Sequence, residues 1–139
     1  MRAAIDTNVI IDALADRVPF NTDAQNILLE ASAYVFDAVI TSNTVTDIYY
    51  LLHKAFSDSE KVKKILNQLF NSISIISVEE SDCKKALSSK VSDYEDAVLS
   101  ESASRNGVDY IITRNVKDFV NSNTKAILPA DFLKLLKLK

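Results

Sequence analysis

Short apolar runs recur along this chain, and the stretches between them carry apolar residues at helical spacing. Strand-like runs fall at residues 2–5, 38–41, 72–78, 109–113 and, more weakly, 125–128. After the first, Val9, Ile10, Ala13 and Leu14 predict a helix from Thr7 to Leu14. Residues 23–35 predict a second, with Asn21 or Thr22 as its cap. Ser42 or Asn43 is placed to cap a helix through residue 55, with Val45, Ile48, Leu51 and Leu52 on one side. Ser57 and Ser59 mark the start of SEKVKKILNQLF, where Val62, Ile65, Leu66 and Leu69 keep a helical period. Helices over 79–89 and 93–105 follow, and Gly107, the only glycine, stands where a helix C-cap is wanted. Pro129 opens a last helix through Leu136. Strands joined through helices imply a parallel sheet covered on both faces. In such sheets the working crevice lies beyond the carboxyl ends of the strands. Asp6 follows the first strand, residues 43–47 the second and residues 113–118 the fourth, so three segments send polar groups to one edge.

At 139 residues the chain is expected to form a single domain over 1–139, burying roughly 70% of its unfolded surface. Apolar residues make up 47% and charged residues 25%, the balance of an ordinary globule. A single cysteine, Cys83, rules out an internal disulfide framework and a multi-cysteine zinc site, and leans towards a reducing compartment. Met1 is not followed by a basic flank and a long apolar run, and no apolar stretch approaches the ~20 residues of a membrane span. A cytoplasmic location with no membrane contact is therefore expected. The net charge of −3 lacks the basic excess common in nucleic-acid binders, although an acidic cluster lowers the total by itself. Lys61, Lys63 and Lys64, and Lys84, Lys85 and Lys90, read most simply as solvated helix faces. Arg114 and Lys117 differ because they stand beside Asp118.

Asp6, Asp47, Asp93, Asp96 and Asp118 sit at strand ends or inside otherwise apolar helices, in AAIDTNVIID, TVTDIYYLL, SDYEDAV and YIITRNVKDF. A buried carboxylate is costly unless paired or bound to metal, and like charges gathered in one cleft need a cation to hold them. Oxygen-only ligands with no His or Cys nearby favour Mg²⁺ or Mn²⁺ over Zn²⁺. Asp93 and Asp96, three apart, share a helix face, and both lie at a helix start, where simple N-terminal capping is the plainer explanation. Asp47 is flanked by Val45, Ile48 and two tyrosines, with an exposed polar position as its plainer reading. Asp12 is expected to face solvent. His53 lies roughly 120° around its helix from Asp47, and Cys83 has no basic partner at hand, so neither is expected to act as a nucleophile. If the acids converge, the chain is a metal-dependent phosphodiesterase.

Taken in order, DTNVIID, TDIYYLL, DYEDAV, YIITRNVKDF and a closing LPADFLK resemble the PIN domain, the fold shared by VapC-type toxin ribonucleases and other small nucleases. The match covers almost the whole chain and is closest to the subgroup with a DxxDA-like segment and a TRNxxDF ending. It implies a three-layer α/β/α sandwich with a mostly parallel central sheet, and hydrolysis of RNA with Mg²⁺ or Mn²⁺. Carried over by residue, Asp6 matches the family's first acid and Asp93 the acid opening the later helix. Asp47 stands where a Glu is usual, and Asn115 where many members have a fourth acid, leaving Asp118 as a nearby carboxylate. Asp96 is an added acid on the face of Asp93, and Thr7, Asn8, Thr113 and Arg114 match polar positions around the cleft.

The expected activity is that of a metal-dependent endoribonuclease, the toxin of a toxin–antitoxin pair. Asp6, Asp93 and Asp96 are expected to hold one or two divalent ions that activate water for in-line attack, with Asp47 orienting water or a second ion and Asp118 assisting. Arg114 or Lys117 is placed to neutralise the scissile phosphate, and Asn8, Thr113 and Asn115 to bind substrate or fix the cluster by hydrogen bonds. The resemblance also implies a homodimer and an antitoxin peptide filling the acidic cleft. Tyr49, Tyr50, Phe56 and the apolar face near Leu66 and Phe70 supply either such contacts or ordinary core. A phospho-acceptor receiver domain would want an Asp at the end of strand three, where this chain has Ile76, Ser77 and Val78. A haloacid-dehalogenase-like phosphatase would want an Asp where Asn8 stands. The remaining alternative is a non-catalytic PIN-fold binding module, distinguished from the enzyme by whether Mn²⁺ stabilises the fold.

Overall fold

Ala3, Ala4 and Ile5 are buried on both sides of one strand, β1 (Arg2–Ile5), which is why this segment reads as a continuous apolar run. In the computed structural model, which describes residues 1–138, Ala3 and Ile5 belong to one core cluster and Ala4 to another. The remaining strands are β2 (Asp37–Thr41), β3 (Ser74–Ile76), β4 (Tyr110–Ile112) and β5 (Lys125–Ile127). All pairings are parallel and the order is β3-β2-β1-β4-β5, with Ala4 of β1 registered between Val39 and Ile111. The helices are α1 (Thr7–Leu14), α2 (Asn21–Ser32), α3 (Val45–Phe56), α4 (Ser59–Leu69), α5 (Glu80–Ala86), α6 (Tyr94–Arg105) and α7 (Pro129–Lys137). Ile10, Ile27, Ile48, Leu66 and Phe132, from α1 to α4 and α7, form the core over one face with Ala3, Ile40 and Ile112. On the other face, Leu99 and Ala103 of α6 pack with Val39 and Ile111, and α5 packs against α6. These layers make the expected α/β/α sandwich. Among the described residues, no helix is long and apolar enough to cross a membrane.

Element boundaries depart from expectation where side chains have other partners. Asn21 does not cap α2; its Nδ2 donates to Asp16 Oδ1 at 2.8 Å and the helix begins at Asn21 itself. The same helix stops at Ser32, before Tyr34, which adopts φ +56°. Ser42 and Asn43 enter a 3-10 turn, Ser42–Thr44, and Ser42 Oγ accepts the Val78 N–H at 3.1 Å. Asp58, not Ser57 or Ser59, caps α4 by accepting from the Lys61 N–H at 3.1 Å, because Ser57 is taken up as the left-handed C-cap of α3. The third strand keeps only Ser74–Ile76, since the Ile73 N–H is drawn back to the Leu69 carbonyl at 3.0 Å. Gly107 sits at φ +66° after α6, and Pro129 opens α7, both as expected.

One residue is placed opposite to expectation. Asp12 does not face solvent but is 1% exposed, on α1. Its Oδ2 lies 2.7 Å from Arg114 Nε, and Arg114 Nη2 donates to Oδ1 at 3.3 Å. The guanidinium also stacks on Phe20, 4.0 Å from the ring centroid. A buried carboxylate needs such a partner, and this one comes from the segment after β4, far along the chain.

Candidate active-site cleft

The carboxyl ends of β1, β2 and β4 share one edge of the sheet, where the strand order reverses on either side of β1. A cleft of about 520 Å³ lies there. Asp6, Thr7 and Asn8 line it from the β1–α1 junction, Asp47, Tyr50 and Leu51 from α3, Asp93, Glu95 and Asp96 from the start of α6, and Asn115 from the segment after β4.

Each group is placed by its local backbone. The Asp6 N–H donates to the Ile112 carbonyl at 3.0 Å, extending the ladder between β1 and β4, while its own carbonyl accepts from the Val9 N–H and starts α1. Asp6 is thus fixed at the joint between strand and helix. Thr113 is fully buried; its hydroxyl donates to Asp6 Oδ2 at 2.8 Å and accepts the Asn115 N–H at 3.0 Å. Asp93 is the N-cap of α6, accepting the Asp96 N–H at 3.0 Å, so capping and cleft lining coincide in one residue. Asp47 lies in the first turn of α3, and Tyr50 and Leu51 follow it by three and four residues on the same face.

The carboxylates feel one another. Asp96 is pushed up to about 7, first by burial and then by the charges of Asp93, Asp6, Asp118 and Glu95. Glu95 is raised by burial and then by Asp47, Asp93 and Asp6. Burial also raises Asp6, against the opposing pull of the Thr113 hydrogen bond and the Arg114 charge. Acids from α3, α6 and the β1–α1 junction therefore form one electrostatic group.

Of the residues expected at the site, Asp6, Asn8, Asp47, Asp93, Asp96 and Asn115 line the cleft, and Thr113 supports Asp6. Asp118 lies exposed in the 3-10 turn Val116–Phe119, outside the lining but near enough to raise Asp6 and Asp96. Lys117 borders a different hollow, beside Val116, Phe119 and Val120. Arg114 is held by Asp12 and Phe20 and reaches the site through its charge on Asp6. His53 stacks on Tyr49 instead of entering the cleft, and Lys61, Lys63, Lys64, Lys84, Lys85 and Lys90 are exposed. Leu66 is core, whereas Tyr50 and Phe70 are exposed. Glu95 and Leu51 are cleft residues that the sequence pattern does not single out, and Tyr50, expected at a partner contact or in the core, lines the cleft as well. The signal for Tyr50 and Leu51 is their spacing from Asp47; Glu95 is hidden by its place between two stronger candidates.

The donors available to a cation are all oxygens: five carboxylates, the side-chain amides of Asn8 and Asn115, and Thr7 Oγ1, which is buried with no hydrogen-bond partner among the described residues. This set suits Mg²⁺ or Mn²⁺. Among the described residues, no three His, Cys, Asp or Glu already stand together at chelating distance. The donor chemistry fits, and binding requires the carboxylates to draw closer.

Residues 2–117 match the family model of the PIN domain. Ribonuclease VapC1 of Aquifex aeolicus (strain VF5) is 26% identical over 136 residues, covering 92% of this chain and 90% of that protein. A toxin–antitoxin complex from Klebsiella pneumoniae superposes with a TM-score of 0.67 at 21% identity, covering 91% of this chain and 97% of the other. VapBC2 from Rickettsia felis, bound to a DNA fragment from its promoter, superposes with a TM-score of 0.67 at 16% identity, covering 92% and 98%. Similarity at these structural identities speaks for a shared fold.

Proposed function

Because the chain belongs to the PIN-domain family, we propose that it is a divalent-metal-dependent endoribonuclease, the toxin of a toxin–antitoxin pair. The observation that carries this reading is the meeting of Asp6, Asp47, Asp93, Glu95 and Asp96, from three separate segments, in one cleft at the carboxyl edge of a parallel sheet. The similarity to a ribonuclease supports the activity, and the two toxin–antitoxin structures support a protein partner. On the same reading the protein works in the cytoplasm as a homodimer.

Asp6, Asp93 and Asp96 would hold Mg²⁺ or Mn²⁺, with Glu95 as a further carboxylate in reach. A bound cation supplies polarisation of the phosphoryl oxygens and acidification of water. Thr113 holds Asp6 Oδ2 in one orientation, so the first acid is set before substrate arrives. Asp47, on α3, orients the attacking water, and one of its carboxylate oxygens receives the water proton. Attack in line breaks the phosphorus–oxygen bond, and the departing oxygen takes a proton from solvent. Asn8 and Asn115 donate side-chain amide hydrogens to phosphate oxygens, a role left open by the commitment of Arg114 to Asp12.

Incubation with Mn²⁺ and a mixed RNA pool, followed by mapping of the cut sites, tests the activity. Asp6→Asn and Asp93→Asn are each expected to lower cleavage at least a hundredfold, on the order of the loss seen when a charge-stabilising group is removed from an active site. Full cleavage by both variants, with the circular dichroism of the parent, would overturn the proposal.

A further inference from the structure

Among the described residues, five carboxylates and no lysine or arginine line the cleft. A nucleic-acid strand entering it meets no fixed positive charge from the lining side chains. Arg114 is engaged by Asp12 and Phe20, and Lys117 borders another hollow. Cations held at the acids would draw in the scissile phosphate, but the nucleotides around it need contacts that do not depend on charge. The lining offers two apolar side chains, Tyr50 and Leu51, both on α3 and both within one helical turn of Asp47.

Tyr50 is 69% exposed, leaving most of its ring open to solvent at the border of the cleft. Single exposed aromatics are ordinary on protein surfaces. This one differs by standing beside the acid cluster and by being held against a neighbouring ring. Tyr49 meets it edge to face, with ring centroids 5.7 Å apart and planes at 78°, and Tyr49 itself stacks on His53 at 6.0 Å and 19°. A braced ring loses little rotational freedom when a partner lies on it.

We propose that Tyr50 is a stacking platform for a nucleobase of single-stranded RNA adjacent to the phosphodiester at the carboxylates, with Leu51 extending the apolar contact. Every base has a π-face, so such a platform grips a strand with little regard for sequence, and an uncharged ring adds no repulsion to an acidic cleft. The proposal rests on the ribonuclease reading and specifies how that site holds its substrate.

Short single-stranded RNAs carrying the fluorescent base 2-aminopurine at successive positions provide the test, because its emission falls when it stacks on an aromatic ring. Ca²⁺ in place of Mn²⁺ keeps the strand whole during binding; cleavage is measured separately with Mn²⁺. The parent protein is expected to quench one position strongly. Tyr50→Ala is expected to abolish that quenching and weaken binding roughly tenfold or more. Tyr50→Phe, which keeps the ring, restores both. Equal quenching and affinity in the parent and Tyr50→Ala would overturn the platform while Mn²⁺-dependent cleavage left the ribonuclease reading standing. Quenching lost in Tyr50→Ala, with no cleavage by the parent, would support the platform and sink the nuclease. Absence of both binding and cleavage in the parent would overturn both.

Discussion

Thr113 gives one hydroxyl two tasks, donating to Asp6 and accepting from the backbone of Asn115, and it does so with no contact to solvent. Burial raises Asp6, and the Thr113 hydrogen bond opposes that rise more strongly than any other neighbour does. Thr113→Val keeps the side-chain shape but removes the hydroxyl, so the Asp6 carboxylate loses its donor inside a partly desolvated site. Its pKa should rise further and less of it should be ionised near neutral pH. We expect a loss of about 1–2 kcal/mol in the stabilisation of the charged form, or a roughly 5–30-fold fall in Mn²⁺-dependent cleavage at pH 7. The sign of the pH effect separates this role from general damage: raising the pH should recover part of the activity of Thr113→Val, because Asp6 then ionises. A pH profile parallel to that of the parent would show that Thr113 does not act through Asp6.

Among the elements, α1 and the segment after β4 are joined by the ion pair of Asp12 and Arg114, which also draws Phe20 of the loop before α2 into the contact. Arg114 keeps 26% of its side chain exposed, so the cost of breaking the pair falls below the 3–5 kcal/mol typical of a fully buried one. We expect Asp12→Ala to lower the unfolding free energy by roughly 2–3 kcal/mol, read from the midpoint of urea denaturation at constant slope. A loss under about 0.5 kcal/mol would mean that water replaces the pair without penalty. The same residue shows where local pattern stops being informative. The strand–helix alternation, the α6 cap at Asp93 and the turn at Gly107 depend on neighbours within a few positions, and all were legible. Asp12 was not, since its close partner lies 102 positions away and the nearer Arg17, just past its helix, approaches only to 3.8 Å. Tyr50 and Leu51 fall between these cases. Their spacing from Asp47 places them on its face, but only the packing of α3 against α1 turns that face towards a cleft. Ser42 and Asn21 mislead for a related reason: each has the chemistry of a cap, and each is drawn to a partner outside its helix.

For the molecule as a whole, the strand order fixes a conflict between folding and the site. Bringing β1, β2 and β4 side by side forces acids from distant segments together, and the fold bears their repulsion when no cation is bound. The folded Asp96 sits at about 7, against 3.8 for the ordinary carboxyl. Between those values the folded chain holds a proton that the unfolded chain has released, so stability falls as pH rises from about 4 through 7. Asp6 and Glu95, also raised, act with the same sign, and Asp82 acts oppositely because Arg105 holds its carboxyl below the usual range. Since Asp82 loses its stabilising charge only as pH falls below the ordinary carboxyl range, its effect is confined to more acid conditions. In the chelator-treated protein the melting temperature should therefore decline between pH 5 and pH 8. Mn²⁺ should reverse the trend, because it binds the deprotonated acids and so gains affinity over the same interval. At a hundredfold excess over Kd it contributes about 2.7 kcal/mol. For a domain of this length that corresponds to a rise of roughly 10 °C. The gain should be larger at pH 8 than at pH 5 and should vanish in Asp6→Asn. A melting temperature indifferent to Mn²⁺ at pH 8 would instead favour a PIN-fold binding module whose acids serve a partner.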